Sequence, residues 1–105
     1  MFDKNSLHDM QKAVDDWITT HGGYWPPLAM LSAIIEEVGE LAKEINHIEG
    51  FKPKKNQNDE EKIGEELADI LYALICLSNY YKIDLYHELN KVITKFSTRD
   101  SQRFV

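Results

Sequence analysis

Four acidic side chains stand out because each lies inside an apolar helical run. Glu37 and Glu40 interrupt the run at 33–48, and Glu66 and Asp69 interrupt the run at 60–78. Each pair is spaced i, i+3, which places both side chains on one face of an α-helix. A carboxylate among apolar neighbours is costly unless positive charge compensates it. Two facing pairs add mutual repulsion, which a divalent cation relieves most simply. The set offers only oxygen ligands, with no cysteine nearby, and so suits a hard cation, Mg²⁺ or Mn²⁺. Mg²⁺ keeps several waters and commonly binds substrate phosphates as well, so the pattern points to phosphate chemistry. The plainer alternative is two solvated acidic helix faces.

Bringing the pairs together requires two helices packed antiparallel. The segment 49–58 is a short connection: Gly50 ends the first helix and Pro53 blocks its continuation. Asn58 with Glu61 three residues on makes a capping-box pattern, so the next helix starts near residue 59 and runs to about Tyr80. With hairpin edges at Ile48 and Asn58, Glu40 and Glu66 lie equally far from the tip, as do Glu37 and Asp69. A constant rise per residue then sets Glu40 level with Glu66 and Glu37 level with Asp69. The helix at 27–48 carries apolar residues on more than one stripe (Leu28, Leu31, Ile34, Ile35, Val38, Leu41, Ile45), and residues 70–77 are apolar on every side. Helices of that kind are covered from several directions, so a second chain is expected to complete the bundle.

Two further helices flank the hairpin. Leu7, Met10, Val14, Trp17 and Ile18 recur at helical spacing over 6–20, with Ser6 or Asn5 as cap, and Trp17 reads as a core residue. His21-Gly22-Gly23-Tyr24-Trp25-Pro26-Pro27 is a break: the glycine pair permits positive φ, and Pro27 suits the first turn of the following helix. Tyr24 and Trp25 either pack on that helix or stack on a nucleobase. After a connection at 82–84, with Asp84 as cap, Leu85, Leu89, Val92, Ile93 and Phe96 define a fourth helix. Lys91, Lys95, Arg99 and Arg103 form a basic stripe along it, although cations near a helix C-terminus are favoured by the dipole in any case. Lys52, Lys54 and Lys55 make a small basic patch, either a solvated loop or a phosphate-facing one. Glu44-Ile45-Asn46-His47 has the Glu-x-x-His spacing of di-iron bundles, but it stands alone at the hairpin tip. His8, His21 and His87 show no metal-ligand spacing.

A chain of 105 residues makes one domain, not two. The net charge of −6 argues against wrapping a nucleic-acid polymer, but not against a small phosphorylated substrate whose charge a metal ion offsets. The single cysteine, Cys76, excludes an internal disulfide and suits a reducing compartment. The first residues lack the apolar core of a signal peptide, and no stretch is long enough to span a bilayer. The expectation is a cytoplasmic, soluble, all-α protein without a membrane partner.

At Glu36-Glu37-Val38-Gly39-Glu40-Leu41 and Glu65-Glu66-Leu67-Ala68-Asp69-Ile70-Leu71 the chain resembles the MazG-like branch of the all-α nucleoside triphosphate pyrophosphohydrolases. The mark of that family is Glu-x-x-Glu on one helix and Glu-x-x-Asp on the next. The likeness extends through Tyr24-Trp25-Pro26-Pro27-Leu28-Ala29-Met30, Cys76-Leu77-Ser78-Asn79 and Lys95-Phe96-Ser97-Thr98-Arg99, nearly the whole chain. It implies one domain over 1–105: an antiparallel helical hairpin with flanking helices, whose four-helix-bundle core is completed by a homodimer or dimer of dimers. It also implies Mg²⁺-dependent hydrolysis of a nucleoside triphosphate, often a deoxynucleotide, to monophosphate and pyrophosphate, in a housecleaning role. By position Glu37, Glu40, Glu66 and Asp69 become the catalytic metal ligands, Lys95 and Arg99 phosphate contacts, and Trp25 a base contact. One departure is Ile93, where some relatives carry an asparagine, so no side-chain amide is present there to bond the nucleotide. The competing readings are a non-catalytic acidic oligomerisation or regulatory module, and a protein that binds Mg-nucleotide without cleaving it.

Overall fold

The computed structural model describes residues 6–50 and 59–103, which form four helices: α1 Leu7–Thr20, α2 Pro27–Glu49, α3 Asp59–Tyr80 and α4 Leu85–Arg103. No strand occurs among the described residues, as the all-α expectation requires. The Asn5 and Asn58 caps, Pro53, the patch of Lys52, Lys54 and Lys55, and the side chain of Arg103 lie outside what is described.

Local chemistry accounts for the helix ends. Ser6 Oγ accepts from the Asp9 N–H at 3.0 Å and so caps α1. The turn after α1 runs through Gly22 at φ +111° and Gly23 at φ +86°, a region open to glycine and closed to most side chains. There the Gly23 N–H donates to the Ile18 carbonyl at 2.9 Å. Pro26 and Pro27 start α2, where the missing N–H of Pro27 is no loss. At the end of α3, Lys82 takes φ +57°, and Ile83 N–H and Lys82 N–H donate back to Ser78 O and Asn79 O. This is a Schellman-type stop in which lysine stands where glycine is usual. Asp84 Oδ1 accepts from Tyr86 N–H at 3.0 Å and opens α4.

α2 and α3 form the hairpin that carries most of the interhelical packing. Its seam is regular. On α2 the covered positions Met30, Ile34, Glu37, Leu41, Glu44 and Ile48 alternate steps of four and three residues; on α3 so do Asp59, Ile63, Glu66, Ile70, Ala73 and Leu77. That alternation is what keeps one stripe facing a neighbouring helix along its whole length. Glu37 and Glu66 therefore occupy positions that an ordinary hairpin would fill with apolar side chains.

α1 packs on α3 and α4. Its pin is Gln11, only 6% exposed. Gln11 Nε2 donates to Asn79 Oδ1 (3.0 Å) and to the Ile83 carbonyl (2.9 Å), while Gln11 Oε1 accepts from Leu85 N–H (2.8 Å). Asn79 Nδ2 returns a bond to the Gln11 carbonyl at 3.0 Å. One amide thus joins α1, the end of α3 and the start of α4.

The single chain leaves much apolar surface in water. Leu28 is 74% exposed and Ile35 64%, and Leu89, Val92, Ile93 and Phe96 on α4 are exposed as well. The radius of gyration is 16.9 Å, against about 13 Å for a compact domain of this length. Trp17, expected in the core, is 56% exposed. Its position on α1 faces a cleft, and its ring lies flat on His21, with ring centroids 4.1 Å apart.

Candidate active site

The hairpin seam brings three of the four predicted carboxylates together. One oxygen from each of Glu37, Glu66 and Asp69 lies within 4.8 Å of the other two. Glu37 and Glu66 are half-buried and Asp69 is exposed. Glu66 Oε2 is buried without a hydrogen-bond partner among the described residues. The Glu66 carboxyl is raised above its ordinary 4.5, by burial first, then by its hydrogen bond with Glu37, then by the charges of Glu37, Asp69 and Glu40. An acceptor oxygen that is buried, unpaired and ringed by negative charge is the condition a cation corrects. The donor set is all oxygen, so the residues fit a hard divalent ion.

Glu40 stands apart. It is exposed and lies outside the convergent set, and its charge is the smallest influence on Glu66. Rise along the axis sets level, but rotation sets direction: three residues turn the side chain by about 60° around the helix. Glu37 lies on the seam, and Glu40 is rotated off it toward solvent. His47, from the Glu-x-x-His pattern, is exposed at the far end of α2 and joins no metal-capable group among the described residues.

A cleft of about 530 Å³ opens beside the carboxylates, among α1, α2 and α3. Glu37 and Asp69 line one part of it, and Trp17, His21, Tyr24, Trp25 and Tyr72 supply aromatic walls. This volume falls in the range of small-molecule sites. Trp25, the expected base contact, is one of these cleft residues and is 66% exposed. Tyr24 is fixed by donating its hydroxyl to Asp15 at 2.6 Å. Burial and that bond push the Tyr24 phenol above its ordinary range, so it stays protonated. At the floor, burial raises the Cys76 thiol, with a hydrogen bond from Tyr72 acting the other way.

Lys95 and Arg99 are elsewhere. Neither lines the cleft of its own chain. Arg99 lies over the Phe96 ring, 4.5 Å from its centroid, and pairs with Asp100 at 3.0 Å; Lys95 Nζ is 5.6 Å from the same ring. Lys91 of the same stripe pairs with Glu88 at 3.2 Å. Sequence reasoning also passed over Trp17 and His21 as cleft residues. A signal existed: they are four apart, and so adjoin on one helix face beside the glycine turn.

An all-α hairpin with acidic seam positions beside an aromatic cleft defines the class. Residues 26–104 match the model of the MazG nucleotide pyrophosphohydrolase domain, and the chain belongs to that family. It is accordingly a hydrolase acting on nucleotides. The chain is 44% identical to the uncharacterized protein YpjD of Bacillus subtilis over 99% of its own length and 94% of that protein. The crystal structure of B. subtilis YpjD superposes with a TM-score of 0.80 at 43% identity, covering 91% of this chain and 98% of that one. The Bacillus-conserved MazG protein, described as a nucleotide pyrophosphohydrolase, superposes at 0.78 with 42% identity over 95% and 98% of the two chains.

Proposed function

We propose that the protein hydrolyses nucleoside triphosphates, often deoxynucleotides, to the monophosphate and pyrophosphate with Mg²⁺ or Mn²⁺ as cofactor. Clearance of noncanonical or surplus nucleotides in the cytoplasm is the corresponding role. The observation that carries this reading is the convergence of Glu37, Glu66 and Asp69, with Glu66 Oε2 buried and unpartnered among the described residues, where Glu37 and Asp69 line an aromatic cleft. Glu37, Glu66 and Asp69 would hold the cation, with Glu40 one turn away to complete the set. A bound divalent ion supplies charge for the phosphate oxygens and a lower pKa for the attacking water. The chain's own part is to keep the three carboxylates converged, to hold the base against Trp25, and to counter the remaining phosphate charge with Lys95 and Arg99.

Those two cations sit away from their own chain's cleft, so the reading assigns them to the cleft of a second copy. The exposed apolar faces of α2 and α4 support assembly as a homodimer or dimer of dimers, with residues 1–105 acting as one domain. The acidic hairpin and the basic stripe of α4 are complementary in charge, which favours the same pairing.

A panel of canonical and modified nucleoside triphosphates tests the reading, with pyrophosphate as readout, in Mg²⁺, in Mn²⁺ and in chelator. Equimolar monophosphate and pyrophosphate, lost in chelator, is the expected result. Tight binding without pyrophosphate would make the protein a nucleotide binder, and neither binding nor turnover would leave an acidic helical module.

A further inference from the structure

We infer that His21 reads the base, presenting Nε2 as a hydrogen-bond acceptor that selects nucleotides carrying an exocyclic amino group. This rests on the reading of the aromatic cleft as the nucleotide site. His21 follows the last residue of α1, where carbonyls lack helical partners. Its Nδ1 lies 2.6 Å from the Trp17 carbonyl oxygen and 3.0 Å from Thr20 Oγ1. A carbonyl oxygen only accepts, so Nδ1 carries the proton. The Thr20 hydroxyl has its own acceptors in the Asp16 and Trp17 carbonyls, both at 2.9 Å, and so receives from Nδ1 as well. In the neutral ring that leaves Nε2 unprotonated, an acceptor by necessity.

The ring's position fixes what Nε2 serves. One face of the imidazole is spent on Trp17, with an interplanar angle of 12°, and its Nδ1 edge is spent on the helix end. His21 lines the cleft, and what it has left to offer a ligand there is its outer face and the Nε2 edge. Of the aromatic side chains beside it, Trp17 and Trp25 carry only N–H donors. The Tyr24 oxygen can also accept, but its hydroxyl is held in place by donation to Asp15. A base stacked on the aromatic wall thus meets an acceptor, which welcomes the N4 amine of cytosine or the N6 amine of adenine. The same acceptor opposes the carbonyl at that position in uracil or hypoxanthine.

The plain alternative is that His21 only caps α1, and selectivity separates the two. Binding of dCMP and dUMP is followed by tryptophan fluorescence, without metal and without turnover. The wild-type protein should bind dCMP about tenfold more tightly, the worth of one hydrogen bond. His21→Asn keeps a donor near the Nδ1 position and removes the Nε2 acceptor, so the two affinities should converge. His21→Gln reaches the Nε2 position with an amide oxygen and should keep a preference for dCMP. Equal wild-type affinities, binding of neither nucleotide, or a preference undiminished in His21→Asn would overturn the assignment. Absent pyrophosphate release with the dCMP preference intact would instead overturn the hydrolytic reading and leave His21 standing.

Discussion

Glu37 and Glu66 face each other across the α2–α3 seam, with a carboxylate oxygen of each within 4.8 Å of the other. Burial and the neighbouring carboxylates raise Glu66 above its ordinary range, so it holds its proton to higher pH than a free glutamate. Metal and proton therefore compete for the same oxygens. Titration with Mg²⁺ or Mn²⁺ just above pH 4.5, where the raised Glu66 still holds part of its proton, should release a fraction of a proton per ion bound. Calorimetry in buffers of different ionisation enthalpy measures it. An observed enthalpy that does not vary with buffer would show the pair to be already fully ionised.

The same pair sets a pH dependence of stability in the metal-free protein. Glu66 titrates above its ordinary 4.5 in the folded chain. Between that value and the raised one, the folded state keeps a proton that the unfolded state has lost, so stability falls as pH rises across the window. The stabilisation is complete below 4.5 and gone once Glu66 ionises in the fold. Thermal melts in chelator should show the midpoint dropping through this window, with a smaller drop in Glu66→Gln. Added Mg²⁺ should restore the midpoint near neutrality, because it stabilises the ionised form. A metal-free melting profile flat across the window would remove Glu66 as the source.

Replacing Glu37 or Asp69 by alanine should abolish most turnover and leave the fold intact. Loss of even the outer partners of metal ligands typically costs 10–100-fold, so pyrophosphate release should fall by more than about 100-fold. Circular dichroism should stay helical, since each substitution removes a repelling charge and leaves a good helix former. Glu40→Ala should cost less, because Glu40 lies off the seam and outside the convergent set. Comparable losses at Glu40 and Glu37 would mean that rotation off the seam does not matter.

The hairpin was legible because its positions repeat. Ile34, Leu41 and Ile48 on α2, with Ile63, Ile70 and Leu77 on α3, mark the seam at helical spacing, and Gly22, Gly23 and Asp84 mark the ends. The carboxylate site was legible in membership more than in arrangement. Counting from the tip gives level, not rotation: it pairs Glu40 with Glu66, whereas the α2 carboxylate that converges on Glu66 is Glu37. Trp17 reads as core in the sequence because an aromatic at helical spacing usually is. It faces the cleft because α1 packs on α3 and α4 through its Gln11 side. Gln11 itself gave no signal, since a glutamine on a helix looks the same whether it faces water or closes a network 68 residues away.

The proposal that Lys95 serves the cleft of a second copy has a direct test in mixed oligomers. Lys95→Ala alone should raise KM by about tenfold or more with kcat largely kept, the usual scale for a charge-assisted contact to phosphate. If Lys95 serves a partner's cleft, then mixing Lys95→Ala with Glu37→Ala subunits should regenerate one complete site per hybrid dimer. Activity at low substrate should then exceed that of either variant alone. Mixtures no more active than their components would place Lys95 and the carboxylates of a working site on the same chain.

Gln11 should behave as a structural pin whose loss is felt away from the carboxylates. Gln11→Ala strands the Leu85 N–H, the Ile83 carbonyl and the Asn79 amide, three groups that each cost about 1–3 kcal/mol when buried without a partner. Water can reach the exposed elbow around Ile83 and Asp84, so the expected net loss is about 2–4 kcal/mol in urea unfolding, below the sum of the three. Asn79→Ala removes part of the same network, so the double variant should lose less than the two single losses added together. Metal affinity should hold, because the seam carboxylates belong to the α2–α3 hairpin and not to the α1–α4 elbow. A double-variant loss equal to the sum would mean that Gln11 and Asn79 act independently. An unchanged urea midpoint in Gln11→Ala would mean that water replaces the amide at no cost.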